Sequence, residues 1–89
     1  MNTGKILSIH DNPDFAIDRY TVVLNEVDRI VGNGVKLYTM IAMNESPLSP
    51  NKGVYQHTCG QRGKHLGKCI KFKDLPKDCQ KALKNEMKC

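Results

Sequence analysis

RYTVVLNEVDRIVGNGVKLYTMIAM, residues 19–43, holds two strands and the turn between them. Along Arg19–Val27, Tyr20, Val22 and Leu24 share one face and Thr21, Val23, Asn25 and Val27 the other. Alternation with period two over branched and aromatic residues is the pattern of a strand. Gly32-Asn33-Gly34 follows, and Asn-Gly is a strong hairpin signal because both residues tolerate positive φ. Val35–Met43 then returns with Val35, Leu37, Thr39, Ile41 and Met43 on one face and Lys36, Tyr38, Met40 and Ala42 on the other. The two runs are predicted to pair as an antiparallel hairpin.

Working outward, Lys5–His10 (KILSIH) reads as a further short strand, closed by the turn residues Asp11-Asn12-Pro13-Asp14. On the other side, residues 44–67 carry two prolines, four glycines and few apolar anchors. They are predicted to be a long irregular loop, with Val54 and Tyr55 as its one extended piece; loops of such length are commonly functional. Lys68–Lys73 is predicted as the last strand, Ile70 and Phe72 inward and Cys69, Lys71 and Lys73 outward. Asp74 and Pro76 then supply a cap and first turn for a helix. Leu75, Cys79, Ala82, Leu83 and Met87 form its apolar stripe, and Lys77, Lys81, Lys84 and Lys88 line another face.

The expected fold class is α+β: a small antiparallel sheet of about four strands with one C-terminal helix packed on one face. At 89 residues the chain forms a single domain, residues 1–89, near the lower limit for folding without metal, disulfide or partner. No repeat or linker divides it. Hydrophobic residues make up 39% and charged residues 26%, which argues against wholesale disorder. The opening apolar run, Ile6–Ile9, is too short for a signal peptide's core, and nothing approaches the length of a membrane span. The protein is expected to be cytoplasmic, its four cysteines free thiols.

Charge is distributed unevenly. Residues 1–51 hold four basic groups against six acidic ones, net −2, and residues 52–89 ten against three, net +7, giving the overall +5. One face or end of the molecule is thus expected to be cationic and to attract anionic partners. The densest cationic stretch is Gly60–Phe72, GQRGKHLGKCIKF. Its candidate phosphate-binding residues are Arg62, Lys64, His65, Lys68 and Lys71, extended by Lys73 and by Lys77, Lys81 and Lys84 of the helix.

Specific signatures fail at named residues. Gly60-Gln61-Arg62-Gly63 has the G-x-x-G form, whose glycines let backbone N–H groups approach a phosphate. In the K-homology fold that loop joins two helices, whereas here it leads into a strand. No Gly-Lys-Ser/Thr follows, which excludes a nucleotide P-loop. Lys64 and Leu66 stand where an RNA-recognition motif needs aromatics. His57, Cys59, His65 and Cys69 are acceptable zinc ligands but lack paired knuckle spacing, so no metal or other cofactor is expected. His10 with Asp11, and His57 with Cys59, fall in no triad or paired-carboxylate pattern, so the protein is read as non-catalytic.

Several blocks together, KILSIHDN, DRYTVVL at Asp18–Leu24, Gln56-His57, HLGK at His65–Lys68, IKFKDLP at Ile70–Pro76 and Cys79-Gln80-Lys81, are shared features. In them the chain resembles a group of small uncharacterised proteins from phages, prophages and bacterial mobile elements. The segment Ser46–Gly53 departs from that pattern. The resemblance implies a small accessory protein in the bacterial cytoplasm and carries over no functional residues. Two roles follow as expectations: nucleic-acid binding through the basic residues, or a protein-interaction module acting on a host factor through an exposed Tyr38–Met40 row.

Overall fold

The structure, a computed structural model, describes residues 6–14 and 19–87. Lys5, Asp18, Lys88 and Cys89 lie outside the described residues, and Met87 is described by its backbone alone. Among the described residues five strands form one antiparallel sheet: β1 (Ile6–Asp11), β2 (Tyr20–Val31), β3 (Val35–Met43), β4 (Tyr55–Gly60) and β5 (Lys68–Ile70). Their spatial order is β4-β3-β2-β1-β5, and one helix, α1 (Lys77–Met87), follows. The α+β class and the C-terminal helix match the sequence expectation.

The central hairpin has the expected partners. Tyr20 lies opposite Met43 and Val22 opposite Ile41. Its turn differs from the expected Asn-Gly geometry: Gly32 and Gly34 take the positive φ values, 56° and 90°, and Asn33 does not. Nothing lies within 4 Å of a Cβ at either glycine, so the requirement there is conformational, not steric. Beyond Leu24 the ribbon shifts register twice, between Val23 and Val27 and between Val27 and Arg29. Among the described residues the proximal half of the ribbon alone is flanked by β1 and β4. The distal half projects outward with Val27, Ile30, Val31 and Val35 exposed.

Period-two alternation splits the apolar side chains of β2 and β3 between two cores. Ile9, Tyr20, Val22, Leu24, Ile41 and Met43 pack against Leu75, Cys79, Ala82 and Leu83 on the helix side. Each valine, leucine, isoleucine or methionine among them contributes about 1.5–3 kcal/mol when fully buried. Val23 and Met40 point to the opposite face, yet Val23 is 0% and Met40 3% exposed. Their cover is Leu66, 8% exposed, with half-buried Tyr38 beside it. The expected exposed Tyr38–Met40 row is therefore corrected: Leu66 lies on Met40, and Arg62 stands over the Tyr38 ring.

Topology dictates what supplies Leu66. β4 and β5 occupy opposite edges of the sheet, and residues 61–67 must join them. Four strand spacings amount to about 19 Å. The eight Cα–Cα steps from Gly60 to Lys68 reach only about 27 Å when fully extended, and a 3-10 turn at Lys64–Leu66 shortens them. The segment is thus a nearly taut strap laid across the second sheet face.

The expected irregular loop at 44–67 is corrected accordingly. It contains β4 and the strap, and only residues 44–54 form a true loop. Asn44 closes that loop: its Oδ1 accepts from Ser46 N and Val54 N, both at 3.1 Å, and its Nδ2 donates to Lys52 O at 2.6 Å. The predicted last strand also ends early. Phe72–Asp74 forms a 3-10 turn, with Phe72 packed at the margin of the helix-side core. Asp74 accepts from Lys71 N at 3.1 Å and so caps this turn, not the helix, which begins at Lys77. Gln80 instead ties the helix to that turn, its Nε2 donating to Leu75 O at 2.9 Å.

Candidate functional site

The strap is held at three points. Leu66 is the apolar anchor described above. Gly67 lies so close to β1 that a Cβ would sit 2.5 Å from Asp11 O, and its φ of +105° is glycine territory. Polar contacts then fix the end of the strap to the β1 margin. His10 Nδ1 faces Gly67 O at 3.4 Å and Asn12 Nδ2 donates to His65 O at 3.4 Å. A ring nitrogen facing a carbonyl must carry the proton. Nδ1–H of His10 therefore donates to Gly67, and Nε2 accepts from Ser8 Oγ at 2.8 Å.

The other strap glycines do different work. Gly63, at φ 168°, is extended backbone that any residue adopts; its missing side chain leaves room for the His65 ring, 2.9 Å from a hypothetical Cβ. A Cβ at Gly60 would make only ordinary contact with Met40. The G-x-x-G segment is accordingly part of a pinned crossing and shows no left-handed phosphate loop.

Between strap, β1 and β5 lies an open cleft of about 500 Å³ lined by His10, Arg62, Gly63, Lys64, Gly67 and Cys69. His10 and Cys69 face each other directly across the β1–β5 pair. Arg62 places its guanidinium 5.8 Å from the Tyr38 ring centroid, a cation–π contact that orients the group. Among the described residues neither Arg62 nor Lys64 has a carboxylate partner. Asp11, which follows His10 on β1, is committed elsewhere. Arg19 Nε donates to its Oδ1 at 2.8 Å and Nη1 to Glu45 Oε1 at 2.7 Å. Those bonds, chiefly the one to Asp11, push the Arg19 pKa up.

The nine basic residues singled out in the sequence do not make one surface. Arg62, Lys64 and His65 lie on the strap, all exposed. Lys68 shares the helix-side face of β5 with Ile70 and stands opposite Asp11, outside the cleft. Lys71 and Lys73 are exposed around the turn after β5. Lys77, Lys81 and Lys84 sit on α1, which covers the other side of the sheet. The expected single cationic face is thus corrected to two basic regions with the sheet between them. His10 and Cys69, absent from the expected binding set, complete the cleft through a pairing that links residues far apart in sequence.

The four candidate zinc ligands are likewise dispersed. His57 and Cys59 lie on edge strand β4 and Cys69 on β5 at the opposite edge. His57 and Tyr55 instead staple β4 to the helix. Tyr55 OH donates to Glu86 Oε1, and His57 Nε2 lies 3.0 Å from the same oxygen. Burial, then this bond, raises the Tyr55 pKa. Cys79 is wholly buried with its thiol donating to Asn44 O at 3.2 Å, and burial is the chief cause that pushes its pKa up to about 12.

Chemically, the cleft offers two cations without a carboxylate partner on a fixed backbone and, among the described residues, no acid in its lining. The nitrogens of His10 are both engaged by Ser8 and Gly67, so neither is directed at the Cys69 thiol. No family model matches this chain, and no curated protein or solved structure is significantly similar to it.

Proposed function

We propose that this protein is a non-catalytic accessory protein of phage or mobile-element type, working in the cytoplasm of a bacterial host, that binds nucleic-acid phosphates through the strap. The observation that carries the reading is the pair Arg62 and Lys64, presented together on a pinned segment with no carboxylate in the cleft lining among the described residues. Phosphate contacts of this kind supply affinity without sequence reading. The lysines of α1 form a second patch that can assist a long strand but faces away from the first. No helix among the described residues is long and apolar enough to cross a membrane.

Salt titration tests the reading. Two phosphate contacts to a single strand give a slope of log K against log salt near −1.4, from about −0.7 per contact. Fluorescence anisotropy with a labelled 20-mer at low to moderate salt should show that slope. Arg62→Ala with Lys64→Ala should remove most of it, and Lys77→Ala with Lys81→Ala and Lys84→Ala should leave it in place. Absence of binding at low salt, or wild-type binding by the strap double variant, would overturn the proposal.

A second reading, a module that binds a host protein, is favoured by a different place than the sequence suggested. Ile30 on the projecting ribbon is 61% exposed, with Val27, Val31 and Val35 near it. Complex formation that survives nuclease treatment and is lost with Ile30→Asp, but not with Tyr38→Ala, would support that role. Retention of the complex by Ile30→Asp would remove it.

A further inference from the structure

We infer that the strap cleft is a binding site for a phosphomonoester dianion: the phosphorylated end of a single strand, or a free mononucleotide. The inference deepens the nucleic-acid reading and rests on it for the strand-end source. Shape is the first ground. The cleft is a concavity of about 500 Å³ walled by the strap on one side and the β1–β5 edge on the other. A chain end or a small molecule enters such a space. Along its length a duplex presents internal phosphodiesters beside grooves about 6 and 12 Å wide, whereas a strand end or a mononucleotide presents a terminal phosphate to a cleft of this size.

Charge is the second ground. A phosphomonoester carries close to two negative charges at neutral pH, its second pKa being about 6, whereas an internal phosphodiester carries one. Arg62 and Lys64 supply two positive charges to the lining, and among the described residues no carboxylate of the lining offsets them. The nearest acid in sequence to His10, Asp11, is bound by Arg19. Orientation is the third ground. The Tyr38 ring, 5.8 Å from the guanidinium carbon, holds Arg62 at the cleft without using a carboxylate, and a guanidinium offers the planar two-point contact that suits phosphate oxygens. His10 forms a wall of the cleft and not a ligand, because Ser8 and Gly67 occupy both its nitrogens. Cys69, exposed on the same wall, is a built-in reporter of occupancy.

The test uses the full chain and single-stranded 12-mers carrying a 5′-phosphate, a 3′-phosphate or hydroxyls at both ends, with adenosine monophosphate and inorganic phosphate as competitors. At least one phosphorylated end should bind roughly tenfold or more tightly than the hydroxyl strand, as expected for an added charge-assisted contact. Adenosine monophosphate should compete and should slow alkylation of Cys69, read by peptide mass spectrometry. Arg62→Gln and Lys64→Gln, both at exposed positions, should each erase the end preference. Equal affinity for phosphorylated and hydroxyl strands, with the salt slope intact, would overturn this inference and leave strand binding standing. Protection of Cys69 by the mononucleotide without binding of any strand would support the cleft and overturn the nucleic-acid function. Neither protection nor end preference would overturn the site.

Discussion

Replacing Gly67 by alanine should be the most damaging single-methyl change in the strap. Two penalties combine there. The backbone at φ +105° and ψ −166° lies in a region essentially confined to glycine, and holding another residue there costs about 1–3 kcal/mol. The new Cβ would also stand 2.5 Å from Asp11 O and 2.7 Å from Asn12 Cβ, where ordinary contact begins near 3.4 Å. The obstacle at Asp11 is backbone held between two paired strands at the end of β1, so the strap must lift by roughly an ångström and loosen Leu66. Together these amount to about 3–4 kcal/mol, a large share of the 5–15 kcal/mol typical of small domains. With a urea slope of about 1–1.5 kcal/mol/M, the unfolding midpoint should fall by about 2–4 M. Gly63→Ala is the internal control. Its extended φ suits any residue and its new methyl meets only the movable His65 ring, so the cost should stay below about 1 kcal/mol. Both variants lose similar unfolded-state entropy, so that contribution cancels in the comparison. A Gly67→Ala midpoint within 0.5 M of wild type (roughly 0.5 kcal/mol on that slope), or equal losses in the two variants, would refute the taut-strap account.

Other perturbations probe the neighbouring parts. Leu66→Ala should cost about 2–3 kcal/mol by opening the small core over Val23 and Met40, while Leu66→Met should cost less than about 1.5 kcal/mol; urea unfolding distinguishes them. Tyr55→Phe removes the donor to Glu86 and should cost about 1–2 kcal/mol, with faster amide exchange in β4 as its local signature. The buried Cys79 thiol holds its proton up to about pH 12 when folded, against an ordinary value of 9.0. Its stabilising contribution is therefore complete below pH 9 and is lost as pH rises from there toward 12. Urea midpoints measured from pH 7 to 11 should decline beyond pH 9, and Cys79→Ala, though less stable throughout, should show a shallower decline between pH 9 and 10.

The hairpin and the helix were legible because both depend on local periodicity. Val22 and Val23 side by side also signalled strand, but alternation alone cannot say that both faces of β2 are covered. That cover comes from Leu66, more than forty residues further on in the sequence. Its glycine- and charge-rich surroundings have the composition of a mobile loop, and only the edge-to-edge placement of β4 and β5 turns them into a strap. β4 was obscured for a related reason. Gln56, Thr58 and Gly60 line the strap-side face of an edge strand and supply no apolar alternation to detect. Asp74 and Pro76 mark a boundary correctly, but an intervening 3-10 turn takes the cap. For the site, the basic residues were identifiable by composition, while their partition between two sides of the sheet was not. Lys77 and Lys64 look equivalent in a charge count and are separated by the sheet in the fold. His10 and Cys69 join the cleft through strand register, which no local pattern encodes.

Amide chemical-shift mapping of the full chain with a 5′-phosphorylated single strand at low salt is the most direct measurement. The account predicts that the largest changes fall on Gly60–Cys69 and His10, with those of Lys77–Lys84 smaller and the distal ribbon, residues 25–37, unchanged. Changes confined to the helix or to the ribbon, with the strap silent, would contradict it.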